Sequence, residues 1–268
     1  MLHLDRILAQ TRADLAERRQ RAPLALLERA AAAHRPRGFA RTLRASAQSG
    51  PAIIAELKKA SPSKGLIRRD FDVALLARDL ESAGAAALSV LTDEPFFQGS
   101  LNNLDLASAA TQIPCLRKDF IVDEYQIVEA RAHHTDAILL IAAALTDAEL
   151  ARFTATAHAL QLDVLCEVHS AGELARVRDL GCEAYGVNNR DLCTFDVRID
   201  TSLDLAADLP PDAVRVSESG IHTAADLNRL RDAGFQGFLI GESLMRQPHP
   251  GAALKTFLHC AAQTATLA

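Results

Sequence analysis

The sequence predicts an α/β fold, a (β/α)8 TIM barrel preceded by an N-terminal helical extension, and three observations lead there. From residue 50 onward eight short β-branched and aliphatic runs alternate with segments of helical period, the pattern of βαβ units around a parallel sheet. None of the first turns carries G-x-G-x-x-G, and an open doubly wound sheet seldom needs so many strands, so closure is favoured. Each run also ends in a polar residue or glycine: Glu56 and Lys58 close the first, Lys118 the third, Glu167 the fifth, Asn188 the sixth and Glu218 the seventh. Polar groups gathered at the carboxyl ends of buried strands point to a chemical site.

In chain order, residues 1–49 form the expected extension packed on the barrel and residues 50–268 the barrel itself, one structural domain overall. Leu4, Ile7, Leu8 and Leu15 recur at helical spacing among charges, and Leu24, Leu26 and Leu27 suggest a second helical piece. This piece reads as an amphipathic lid over one barrel end, and equally as a cover that shapes a substrate cavity. The basic run from Arg35 to Arg44 reads as a solvated face. The strands are placed at Ala52 to Leu57, Ala87 to Leu91, Ile113 to Arg117, Ala137 to Ile141, Asp163 to Glu167, Ala184 to Val187, Val214 to Ser217 and Gly237 to Ile240. Helices are placed at Val73 to Ser82, Glu124 to Ala132, Ala148 to Leu160, Ala171 to Leu180 and Ala224 to Ala233. Asp147 and Thr223 are the expected N-caps, and Gly84, Gly181 and Gly234 the C-terminal stops.

Composition bounds the function. Lys and Arg total 29 against 34 Asp and Glu, a net charge of −5 in 268 residues, which argues against a general electrostatic grip on nucleic acid or anionic lipid. Any bound anion must be held locally. The five cysteines, Cys115, Cys166, Cys182, Cys193 and Cys260, form no C-x-x-C pair, and together with the absence of a membrane-length apolar run or a signal peptide they give the expectation of a soluble cytoplasmic protein.

Glu56 and Lys58 lie two apart on a strand and so share one face, the barrel interior. They form either a structural ion pair or, near a water-poor mouth, part of a site. Of Arg117, Lys118 and Asp119, one points inward and its neighbours outward. Glu167 either caps the next helix or joins the lysines on the rim. In Gly186-Val-Asn-Asn-Arg-Asp-Leu192, Asn188 can donate and accept and Arg190 can grip a carboxylate, unless the amides merely hold a turn. Ser217-Glu-Ser-Gly220 and Ile240-Gly-Glu-Ser243 are small and rich in backbone N–H groups, the seventh and eighth loops where such barrels bind phosphate without net positive charge. No His or Cys pair shows metal-ligand spacing; His133 and His134, adjacent in a helical pattern, point apart, and His169 reads as a loop residue. Pro62, in Ser61-Pro-Ser-Lys-Gly65, forces an extended loop after the first strand.

Taken together, Ile54 to Gly65, Ser89 to Asp93 with Phe96 to Ser100, Leu116-Arg-Lys-Asp-Phe120, Glu167-Val-His169, Gly186 to Leu192, Val216 to Ile221 and Phe238 to Met245 resemble the indole-3-glycerol phosphate synthase family. Cys115, Cys166 and Ala132-His-His-Thr135 depart from that family's habit, away from the rim. The resemblance implies a cofactor-free carboxy-lyase of tryptophan biosynthesis that closes 1-(2-carboxyphenylamino)-1-deoxyribulose 5-phosphate to indole-3-glycerol phosphate, releasing carbon dioxide and water. It implies Lys118 as general acid, with its pKa lowered by cations and desolvation, and Glu167, Lys58 and Glu56 as candidates for dehydration. Asn188 and Glu218 complete the catalytic set. Ser61, Arg190, Phe96 with Phe97, and the phosphate-gripping Ser219, Gly220, Gly241 and Ser243 bind substrate. The implied partners are the phosphorylated substrate and other tryptophan-pathway enzymes, in a monomer or weak homo-oligomer. The rival readings are another phosphate-binding barrel, such as a phosphoribosylanthranilate isomerase, and a non-catalytic phosphate-binding barrel.

Overall fold

Eight parallel strands close into one ring in the computed structural model, which describes residues 3–191 and 194–265. They are β1 (Ala52–Leu57), β2 (Ala87–Leu91), β3 (Cys115–Lys118), β4 (Ala137–Ile141), β5 (Asp163–Val168), β6 (Ala184–Asn188), β7 (Val214–Glu218) and β8 (Gly237–Ile240). Pairing of Ala52 with Gly237 and Ile54 with Leu239 joins β1 to β8 and completes the barrel. Each expected strand is present, and only β3 starts late. Pro114 has no N–H to donate, so the strand opens at Cys115, although the Pro114 carbonyl accepts from Leu88 N at 2.9 Å.

Side chains alternate across the wall. Ile53, Ala55, Leu88, Ile138, Val164 and Cys166 face the surrounding helices, while Ile54, Leu116, Leu139, Leu165, Val216 and Leu239 fill the lumen. This alternation carries Glu56, Lys118, Glu167, Asn188 and Glu218 inward at the carboxyl ends. Among the described residues Cys115, Cys166 and Cys182 are buried and free, small apolar fillers of the outer layer; Leu192 and Cys193 lie outside the described residues.

The helices Val73–Ser82 and Glu124–Ala132 fall where expected. The helix Asp147–Ala159 is capped by Thr146, not Asp147: the Thr146 hydroxyl accepts from Glu149 N at 3.3 Å while the Glu149 carboxylate accepts from Thr146 N at 2.8 Å. Thr223 caps its helix in the same reciprocal way with Asp226. His133 and His134 do not diverge. The helix ends at Ala132 and His134 takes φ 60°, which turns both rings onto Asp105 at 2.8 and 3.0 Å.

The extension spans both ends of the barrel rather than one. Helix α1 (His3–Arg21) begins at the mouth, where Leu4 and Ile7 line the cavity. Helix α2 (Leu24–Ala31) packs Leu27 and Ala31 beside Leu8 and Leu15 of α1 and Tyr125 and Ala132 of the barrel. Helix α3 (Phe39–Ala47), hidden in the basic run, plugs the amino-terminal end of the lumen with Phe39, Ala40 and Leu43. The arginines of the basic run are not merely solvated. Arg37 donates through Nε to both oxygens of the buried Asp136, at 3.2 and 3.0 Å, and Arg44 reaches the Asp212 carbonyl at 2.9 Å, so the basic run anchors the plug.

Candidate active site

Strand register decides which side chains meet. Leu91 pairs with Lys118, Ile141 with Glu167, and Asn188 with Glu218, so the inward residues of β3, β5, β6 and β7 stand near one level. They open onto a cavity of about 140 Å³. Glu56, Lys58, Ser61, Lys118, Glu167, Asn188, Arg190, Glu218 and Ser219 all line it.

Lys118 Nζ lies 2.8 Å from Glu167 Oε2 and 3.4 Å from Glu218 Oε2. Lys58 pairs with Glu56, whose other oxygen accepts from Ser89 Oγ at 3.4 Å. The surroundings of Lys118 are the reverse of those expected. Burial alone would lower its pKa, but Glu167, Glu218 and Glu56 outweigh burial and raise it, so the ammonium is firmly charged. The two carboxyls beside it are driven apart. Burial would raise Glu167, yet Lys118 and His169 hold it down to about 2. Glu218 is pushed up to about 8 by burial against the opposing pull of Lys118, with Glu167 and Glu56 adding like charge. At neutral pH the pair is thus one carboxylate and one carboxylic acid, the separation that distinguishes acid from base in enzyme sites.

Room for this cluster is left by glycine. A Cβ on Gly186 would sit 2.2 Å from Glu218 Oε1, and one on Gly241 2.6 Å from Glu56 Oε1. Gly241 is therefore packed under Glu56 and does not itself line the cavity. Gly220 follows Ser219, and a Cβ on it would sit 2.6 Å from Val197. Ser243 faces a different groove, between Ile221, Leu244 and Pro248, and Glu242 borders the mouth instead. Of the aromatic pair, Phe97 lines the cavity, its ring 6.1 Å from that of Phe120, while Phe96 turns away under the Arg6 guanidinium.

The amides divide. Asn188 faces the cavity and accepts from Arg190 N at 3.1 Å. Asn189 is buried and structural, donating to Ser217 Oγ and the Ser219 carbonyl, both at 3.0 Å, and accepting from Ser202 Oγ at 2.8 Å. Sequence reading missed several residues of the wall, among them Ser63, Leu91, Asp119, Phe120, Leu139, Ile141, Phe195, Leu239 and Glu242. For Leu139 and Leu239 the period of two along their strands was the available signal. Among the described residues no group of three or more His, Cys, Asp or Glu side chains is arranged to hold a metal, and no helix is long and apolar enough to cross a membrane.

Comparison with known proteins adds independent findings. The family model described as indole-3-glycerol phosphate synthase matches residues 4–257. Curated relatives bearing that name include one from Koribacter versatilis, 59% identical over 95% of this chain and 98% of its own length. Another, from Verminephrobacter eiseniae, is 51% identical over 94% of this chain and 97% of its own. Among solved structures a thiamine phosphate pyrophosphorylase from Pyrococcus furiosus superposes with a TM-score of 0.59 at 12% identity, covering 79% of this chain and 96% of that one, a likeness of fold alone.

Proposed function

This chain belongs to the indole-3-glycerol phosphate synthase family, and from that premise we propose how its barrel mouth closes, decarboxylates and dehydrates 1-(2-carboxyphenylamino)-1-deoxyribulose 5-phosphate as a carboxy-lyase. The single observation that carries the reading is Lys118 Nζ set 2.8 Å from Glu167 and 3.4 Å from Glu218 in one cavity.

As the ring carbon bearing the carboxylate attacks the ketone carbon, Lys118 gives a proton to the ketone oxygen. Loss of carbon dioxide returns its bonding pair to the ring and restores aromaticity. Water then leaves: Glu167 takes a proton from the carbon next to nitrogen while Lys58 protonates the departing hydroxyl. Glu167 passes its proton to Lys118 across their hydrogen bond, and Lys58, the more exposed lysine at 21% against 14%, recharges from solvent. Two protons are given, one is recovered, and the one taken from water balances conversion of a carboxylate to carbon dioxide.

Arg190 and Lys58 supply cations for the ring carboxylate, and Phe97 with Phe120 encloses the ring. Phosphate is assigned to backbone N–H groups at the Ser219 turn, where φ is 67° and 78° at Ser219 and Gly220, and at the helix Glu242–Met245, whose start has no side-chain cap. Ser61 Oγ, buried without a hydrogen-bond partner, is free for a sugar hydroxyl. Residues 1–49 and 50–268 are taken as one structural domain, working in the cytoplasm as a monomer or weak homo-oligomer. Incubation with the carboxyphenylamino substrate should give indole fluorescence with release of carbon dioxide. Silence from folded protein that binds phosphate would defeat the reading.

A further inference from the structure

Beside the site stands a titratable side chain that the reaction above leaves unused. His169 follows β5, two residues beyond Glu167, so the strand period turns both to the same side. Its side chain is 11% exposed. The Glu173 carboxylate, in the first turn of the helix Ala171–Val177, reaches back to it. Glu173 Oε2 accepts from His169 N at 2.8 Å and lies 3.3 Å from His169 Nδ1, while Glu173 N is tied to Ser170 Oγ at 3.2 Å. A carboxylate only accepts, so Nδ1 carries a proton. On the other side of the ring, Nε2 is buried, has no hydrogen-bond partner, and lies 3.4 Å from Glu167 Oε1.

Glu167 is thereby held at both oxygens, by Lys118 at Oε2 and by the imidazole at Oε1. If Nε2 were unprotonated, its lone pair would face an ionised oxygen across a dry gap. A ring protonated at both nitrogens bridges two carboxylates instead. We propose that His169, clamped by Glu173, is a positioning residue that donates from Nε2 to Glu167 and keeps that carboxylate ionised and aimed at the substrate. The charged groups facing it agree. Burial disfavours its charged form, but Glu173 and Glu167, with Glu218 behind them, raise its pKa above the ordinary histidine value. The motif Glu167-Val-His169 thus supplies both the base and the group that tunes it.

This inference rests on Glu167 as base, and the experiment separates the two. In the intact protein, the His169 ring signal, assigned by its loss in His169→Gln, is titrated by NMR. Its midpoint should lie above about 6.5 and move down in Glu173→Gln. In kinetics His169→Leu should lower kcat roughly 10- to 100-fold with KM held within about twofold, as expected when a reacting group is misplaced. His169→Gln, whose amide N–H donates without titrating, should recover most of that loss and be less sensitive to alkaline pH. An ordinary midpoint, an unchanged His169→Leu, or equal losses in the Leu and Gln variants would overturn the proposal. Should the parent turn over while Glu167→Gln does so equally well, it is the base assignment that falls.

Discussion

Arg117 and Lys118 are neighbours on β3, the first fully buried, the second partly exposed and both surrounded by carboxylates, yet they sit in opposite kinds of environment. Arg117 points outward. It donates to Thr92 Oγ1 at 3.1 Å, to the Gln126 carbonyl at 2.8 Å and to Asp119 Oδ2 at 2.7 Å, and pairs with Glu129 at 3.0 Å. Glu129 is held in turn by Arg18 of α1, which fastens the extension to the barrel. None of the side-chain atoms of these charged residues is left buried and unpaired. Lys118 points inward, to a cluster in which Ser61 Oγ and Glu218 Oε1 are buried without hydrogen-bond partners. Burying polar groups unsatisfied is costly. Where the network closes on itself it fixes the fold; where it is left open, polar atoms are left without partners for a ligand to supply.

Lys118→Met should lower kcat by roughly 10²- to 10⁴-fold, the usual weight of a general acid, and change unfolding free energy by less than about 2 kcal/mol because water can enter the mouth and solvate Glu167. Single-turnover assays beside urea denaturation test both halves. Arg117→Met should do the opposite. It strands Asp119 and Glu129 in a dry layer and should cost about 3–5 kcal/mol in stability, with catalysis in the surviving folded fraction reduced far less than in the Lys118 variant.

A pH series sharpens the contrast. Glu218 holds its proton up to about 8 when folded but releases it near the ordinary glutamate value when unfolded. The folded state therefore binds the extra proton between those limits, and stability falls as pH rises through that window. Glu218→Gln cannot ionise and should lose this slope, so its advantage over the parent should grow from pH 5 to pH 9, to a few kcal/mol at roughly 1.4 kcal/mol per unit. Glu167 acts in another range. Its lowered pKa gives stability present above the ordinary glutamate value and lost as pH falls toward 2. Parallel denaturation curves for parent and Glu218→Gln across pH 5–9 would remove the premise that Glu218 is the neutral acid of the pair.

The open cluster was legible in the sequence because strand period and strand ends are both local signals. Glu56, Lys118, Glu167, Asn188 and Glu218 all sit where the apolar runs stop, and period two sends them inward. What could not be read was who faces whom across the barrel. The expectation of cations around Lys118 failed because strand ends reveal that charges converge but not in what pairs; register and tilt place three glutamates on it. Helix α3 escaped notice because its buried face is only Phe39, Ala40 and Leu43, set among arginines that look solvated until Asp136 is seen beneath them. His169 was within reach of the same period-two rule, but its significance required Glu173 to fold back from the next helix.

The smallest effects discriminate most finely, because they separate residues that adjoin in sequence. Phe96 and Phe97 share the one-turn helix Glu94–Phe97, too short for any periodicity to choose between them. Only Phe97 reaches the cavity. Phe97→Ala should therefore raise KM roughly tenfold, about 1.4 kcal/mol of lost enclosure, and Phe96→Ala much less. At the phosphate end the same logic separates Gly241-Glu-Ser243. Ser243 lines the outer groove, and what its segment offers a phosphate is backbone, which a side-chain change leaves in place. Ser243→Ala should hold KM within about twofold. A large rise would mean that the hydroxyl itself grips the dianion and that the helix start turns inward when substrate binds.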